Sequence, residues 1–231
     1  MGMGCPFEVR IGRLRDKKGN PMAMFSRSIQ MTGPPAEVGA HVLALRAHAS
    51  SRLGSEVAVW NVLFGAPLGT FTFTTAVDGI AGVLAMGASL AGDAEFAALV
   101  AKGAAWTTGA PVDQLREALN GVNPAGPPPV GAVAIVTTAS MNGGKYAAAV
   151  GWSLEVAALV EKITGMRVTL STGIAGEMGQ LSFVGVSPDA ATADAANAKI
   201  NADAGYQAKL DEAGDLFVPG SAHRRILVRM G

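Results

Sequence analysis

The chain is short of nearly everything from which reactive sites are commonly built. It has one cysteine, Cys5, in 231 residues. A single thiol makes neither an intrachain disulfide nor a thiolate cluster, and such scarcity suits a reducing compartment. A cytoplasmic location is therefore expected, and Cys5 is read as incidental. Charge is scarce as well. Lys plus Arg and Asp plus Glu number 18 each, only 16% of the chain is charged, and the formal net charge is zero. No basic surface of the kind that holds nucleic acid or an anionic membrane is expected. The basic groups Arg13, Arg15, Lys17 and Lys18, and Arg224, Arg225 and Arg229, read as solvated strand ends. No apolar core follows Met1, so no secretory leader is read there. The uncharged run Val57–Val77 approaches the length of a membrane span, but it contains Pro67 and alternates like strands. A buried hairpin is the better reading, and no membrane association is expected. Phosphate-binding glycine loops and a strained nucleophile turn are missing too. Flavin, nicotinamide and nucleotide use are thus unsupported, and no cofactor and no metal are expected.

What the sequence does contain is one pattern written twice. Residues 22–121 and 132–231 each read strand, helix, strand, hairpin, strand, helix, strand. Met31 is answered 110 positions later by Met141, Gly33 by Gly143, Gly69 by Gly179, Phe73 by Phe183 and Asp93 by Asp203. Identities are few, and the likeness lies in the pattern. Phe71 and Phe73 alternate with Thr70, Thr72 and Thr74, and Leu181 and Phe183 alternate with Gln180, Ser182 and Val184. Period-two alternation just after a matched glycine marks a strand in both copies. A repeat this long implies two domains rather than a solenoid. With 49% hydrophobic residues, most of the chain can be buried.

The boundaries follow. Residues 1–121 form a first domain, 122–131 a Pro-rich linker with Pro124, Pro127, Pro128 and Pro129, and 132–231 a second domain. Phe7–Arg15 reads as an extra strand, turning at Asp16–Asn20 to pair as a hairpin with Met22–Gln30. A helix from Pro34 or Pro35 to about Arg52 carries Val38, Val42, Leu45, Ala49 and Leu53 on one face. Its counterpart runs from about Lys145 to Ile163, and Gly54 and Gly165 end the two. Glu56–Phe64 and Arg167–Thr172 read as strands. Asp78 and Ser187-Pro188-Asp189 start second helices, with Asp93 and Asp203 as caps of short further ones. Arg224–Met230 alternates as a final strand, whereas its counterpart Asp113–Leu119 reads more like helix.

This βαββαβ order, twice, resembles the ferredoxin-like plait. The helix lengths and the extra short helix are similar to those of the dimeric α+β barrel superfamily, which includes NIPSNAP-like proteins and antibiotic-biosynthesis monooxygenases. The resemblance implies an α+β fold in which two tandem plaits close their sheets into one barrel. It is one of pattern, so no catalytic residue is carried over. It also implies that one half keeps a site while the other becomes support, and that the chain can associate as a homo-oligomer.

Few residues can carry chemistry. There are three histidines: His41, His48 and His223. His41 and His48 lie seven apart on one side of the first helix, a poor spacing for a metal pair, and are read as candidate general bases facing a cavity. The second copy has Gly151 and Ala158 at these positions, so the first half is the one expected to hold a site. Trp60 and Asn61 neighbour each other on a strand, where an aromatic beside an amide could grip a planar, partly polar ligand. His223 reads as a surface turn. Three functions stay open: an enzyme acting on a small apolar or aromatic molecule, such as a cofactor-free oxygenase or cyclase; a non-catalytic ligand-binding or self-assembling protein; and a haem protein.

Overall fold

Alternating apolar residues can serve two layers at once, and here they do. The computed structural model describes residues 23–121 and 127–231. The strands are β1 (Ala23–Met31), β2 (Ala58–Phe64), β3 (Thr70–Val77), β4 (Thr107–Ala118), β5 (Val133–Ser140), β6 (Val168–Ala175), β7 (Gln180–Ser187) and β8 (His223–Arg229). The helices are α1 (Pro35–Leu53), α2 (Gly79–Ala91), α3 (Ala94–Gly103), α4 (Tyr146–Thr164), α5 (Ala190–Ala202) and α6 (Ala204–Asp211). The strands close into one barrel in the order β1-β3-β2-β8-β5-β7-β6-β4. Read by halves, the orders are β4-β1-β3-β2 and β8-β5-β7-β6, the same arrangement twice. The halves join where β2 pairs with β8 and β4 with β6, both antiparallel. The fold is an α+β barrel of ferredoxin-like halves.

Side-chain alternation sorts residues between the barrel interior and the layer under the helices. On β2, Val59 packs under α1 with Met31, Val38, Val42 and Phe71. Its neighbours Ala58, Trp60 and Val62 turn inward to meet Leu227 and Ala134 on the adjoining strands β8 and β5. In the second half, Leu170 and Leu181 pack against Ala149 and Val150 of α4. Helix ends are set locally. Gly54 and Gly165 take the left-handed C-cap conformation at φ 61° and 75°. The carboxylates of Asp93 and Asp203 accept from the backbone N–H of Phe96 and Tyr206. Ser187 is the last residue of β7, and Asp189 is the side chain that caps α5, accepting from Thr192 N–H.

One sequence expectation is corrected. Asp113–Ala118 is not helical but forms the end of β4, with Leu119 just beyond it. Leu115 joins the cluster of Ala23 and Phe25 and Leu119 that of Leu170 and Leu181, so both face the helix layer as alternation along a strand requires. Their spacing of four fits a helix equally well; pairing with β1 and β6 decides for strand. The expected hairpin partner of β1, Phe7–Arg15, lies outside the described residues, as does Cys5.

The matched pair Gly69 and Gly179 separates two costs. Both are left-handed, at φ 78° and 76°. A Cβ on Gly69 would meet the Met31 carbonyl oxygen at 2.2 Å, whereas nothing lies within 4 Å of one on Gly179. Gly179→Ala should therefore cost only the left-handed penalty, about 1–2 kcal/mol, and Gly69→Ala clearly more. Urea unfolding of the two variants checks this; equal losses would contradict it.

Candidate functional site

Helical spacing places His41, Leu45, Ala49 and Leu53 in one stripe on α1, and all four line a cavity of about 670 Å³. The cavity lies between the helix-facing side of β1, β3 and β4 and the helices α1, α2 and α3. Its floor includes Phe25, Ile29, Met31 and Phe73, and its outer wall includes Val83, Met86, Leu90 and Val100. None of the residues of α2 is buried. Val83 and Met86 of the helix reach the sheet, packing on Ala23, Phe25 and Leu115 beside the cavity.

His41 is 4% exposed. Neither of its nitrogens has a hydrogen-bond partner. Its ring meets Trp106 edge-on at 5.4 Å. A Cβ on Gly103 would come 2.4 Å from His41 Nε2 and 3.2 Å from both flanking ring carbons, so the α3 backbone caps the outward side of that nitrogen. Glycine is what lets α3 approach so closely. Burial, and after it the charge of Lys102, holds His41 below the usual imidazole range. The ring is neutral near pH 7.

The other expected residues are not gathered here. His48 Nε2 lies 3.0 Å from Asp93 Oδ1, its Nδ1 lies 3.6 Å from Glu95 Oε1, and its ring stacks on Phe96. It ties α1 to the start of α3 and does not line the cavity. Arg52 also reaches Asp93, at 3.3 Å. The Phe96 N–H, with His48 and Arg52 adding to it, holds the Asp93 carboxyl below its usual range. Trp60 points into the barrel interior, where Nε1 donates to Thr74 Oγ1 at 3.0 Å. Asn61, next along the strand, takes the opposite face. The structure does not bring Trp60 and Asn61 together with His41. His223 is exposed at the start of β8.

Sequence reading missed Arg27 and Asp113, which stand opposite each other on β1 and β4 and form a two-pronged ion pair at the cavity mouth. The signal for Arg27 was a charged residue on the otherwise apolar face Phe25, Ile29, Met31. Asp113 was hidden by the helical reading of its segment. Gly103 and Trp106 carried no sequence signal.

As the histidines stand, Nε2 of His41 faces the α3 backbone, His48 is engaged by two carboxylates, and His223 is exposed. Among the described residues no three His, Cys, Asp or Glu side chains converge as a metal set. No single helix among them is long and apolar enough to cross a membrane.

No family model and no curated protein matches the sequence. Solved structures match in fold. A monooxygenase candidate from Fusobacterium nucleatum aligns at TM-score 0.63 and 10% identity, covering 91% of this chain and 93% of that one. An anthrone oxidase-like protein aligns at 0.60 and 12%, covering 91% and 95%. A haem-binding protein from Thermus thermophilus aligns at 0.52 and 10%, covering 91% of each. These chains share the barrel with this one.

A neutral buried His41 links stability to acid. Its folded pKa lies below the unfolded one, so its contribution is complete above about pH 6.5 and is lost as pH falls below that. Unfolding free energy should drop between about pH 6.5 and 5, and His41→Leu should flatten that drop. An unchanged slope in His41→Leu would refute the assignment.

Proposed function

We propose that the chain is an oxygenase-type enzyme acting on a small apolar or aromatic molecule bound between the first-half sheet and α1–α3. The observation that supports this most is the cavity itself: about 670 Å³, largely apolar, with one buried neutral imidazole lacking a protein partner. That volume suits a ligand of a few fused rings. The monooxygenase and anthrone oxidase-like names among the fold's relatives agree with this reading.

His41 is the general base. Rotation about its Cβ–Cγ bond, a broad torsion, turns a nitrogen from Gly103 toward the cavity. The imidazole takes a proton from a carbon acidified by adjoining rings or a carbonyl. The resulting carbanion bonds to dioxygen, and the peroxide takes back the proton from His41. Loss of the second C–H proton with hydroxide breaks the O–O bond, giving a ketone and water. The balance is CH₂ plus O₂ to C=O plus H₂O. The apolar walls shield the carbanion from water.

Oxygen uptake with anthrone and related multi-ring ketones and phenols tests this. His41→Ala should lower kcat by about 10²–10⁴-fold, whereas His48→Ala, away from the cavity, should leave it within about twofold. In the active protein kcat/KM should be flat through neutral pH and fall only below about pH 6.5, as the lowered imidazole takes a proton. Undiminished uptake in His41→Ala would overturn the assignment of the base. Tight binding of these compounds without uptake would favour a carrier instead.

A further inference from the structure

The cavity offers a ligand few polar contacts, and their identity limits what can bind. Three threonines line it and all their hydroxyls are engaged, that of Thr74 on the barrel side. Thr74 Oγ1 accepts from Trp60, Thr75 donates to the Glu56 carbonyl at 2.8 Å, and Thr107 donates to the Gly103 carbonyl at 3.0 Å. What remains is His41 and the pair Arg27–Asp113. Arg27 Nε donates to Asp113 Oδ1 at 2.8 Å and Nη2 to Oδ2 at 2.7 Å. The guanidinium also stands over the Phe25 ring, 5.9 Å from its centroid. The two side chains are 50% and 44% exposed, which places them at the mouth.

The two polar features lie apart. Trp106, which touches His41, packs on the cluster that contains Met31. Arg27 is four residues back along β1, on the same face, about 13 Å of strand away. An apolar span separates the imidazole from the guanidinium. Arg27 is the only cation among the lining residues.

We infer that Arg27 is an oxyanion anchor: it receives the ligand oxygen on which charge develops when a proton leaves at the His41 end. This rests on the oxygenase reading above. The ligand class is then an uncharged conjugated molecule, apolar along its body, with a phenol or ketone oxygen at the end remote from the acidic carbon. Removing a proton from such a carbon moves charge through the conjugated rings to that oxygen. A cation held in place at the mouth stabilises that charge more than the neutral ground state. Asp113 balances Arg27 until then and disfavours ligands that arrive as anions. It also fixes the guanidinium fork, making it a positioning residue.

The test uses the full chain and 2-naphthol, whose neutral and ionised forms absorb differently. Bound 2-naphthol should ionise about tenfold more readily than free, one pKa unit. Arg27→Met should remove that shift, Arg27→Lys keep part of it, and Asp113→Asn enlarge it. Circular dichroism confirms that each variant is folded. Equal ionisation in wild type and Arg27→Met would overturn the inference, as would failure of 2-naphthol to bind. No turnover is needed. Loss of the Arg27 effect with His41-dependent oxygen uptake intact defeats this inference alone. An intact effect without oxygen uptake defeats the oxygenase reading alone.

Discussion

Closure of the barrel depends on one long strand doing two jobs. β4 pairs with β1 from Glu117 to Thr107 and with β6 from Leu115 to Ala118. Without that overlap the sheet would end in two open edges, each a row of unpaired backbone groups. Leu115 and Leu119, four apart on one face, feed the two outer cores in turn. The site depends on the same strand, since Thr107, Pro111 and Asp113 of β4 all border the cavity.

The matched halves differ in what lies under their second helices. In the second half, α5 buries Ala193 and Ala196 and carries Asp194 and Lys199 outward, an ordinary amphipathic arrangement. In the first, α2 has no charged residue and buries nothing. Val83 and Met86 pack partly buried on Ala23, Phe25 and Leu115, and the opposite face has no cover. Ile80 and Leu84 are accordingly 59% and 69% exposed. The helix forgoes full burial that α5 achieves, and the cavity lies beside it. Trp106 and Gly33 show the same asymmetry. The indole lies against Gly33, where a Cβ would sit 2.7 Å from it, whereas Gly143 in the second half has open space.

What the sequence revealed was mostly what neighbours in the chain decide. The strands around Phe73 and Phe183, the caps at Asp93 and Asp203 and the glycine stops at Gly54 and Gly165 are local matters of alternation and capping. The barrel could be read because these signals recur in order. The end of β4 could not, because Leu115 and Leu119 are spaced four apart, as on a helix, and only its partners on both sides make it a strand. His41 was legible as a residue type. Its separation from His48 was not, because the spacing of seven gave them one side of α1, while Asp93 and Glu95 on another segment decided where His48 bonds. Trp60 was legible as an aromatic on a strand, but which face it took depended on register.

The central claim is that ligands enter the space under α2 and α3 rather than the barrel interior. A crystal structure of the chain soaked with anthraquinone addresses it most directly. The account predicts a planar ligand between Phe73 and Val83, with His41 at one end and Arg27 at the other. A ligand lodged inside the barrel beside Trp60, with the outer cavity empty, would contradict it.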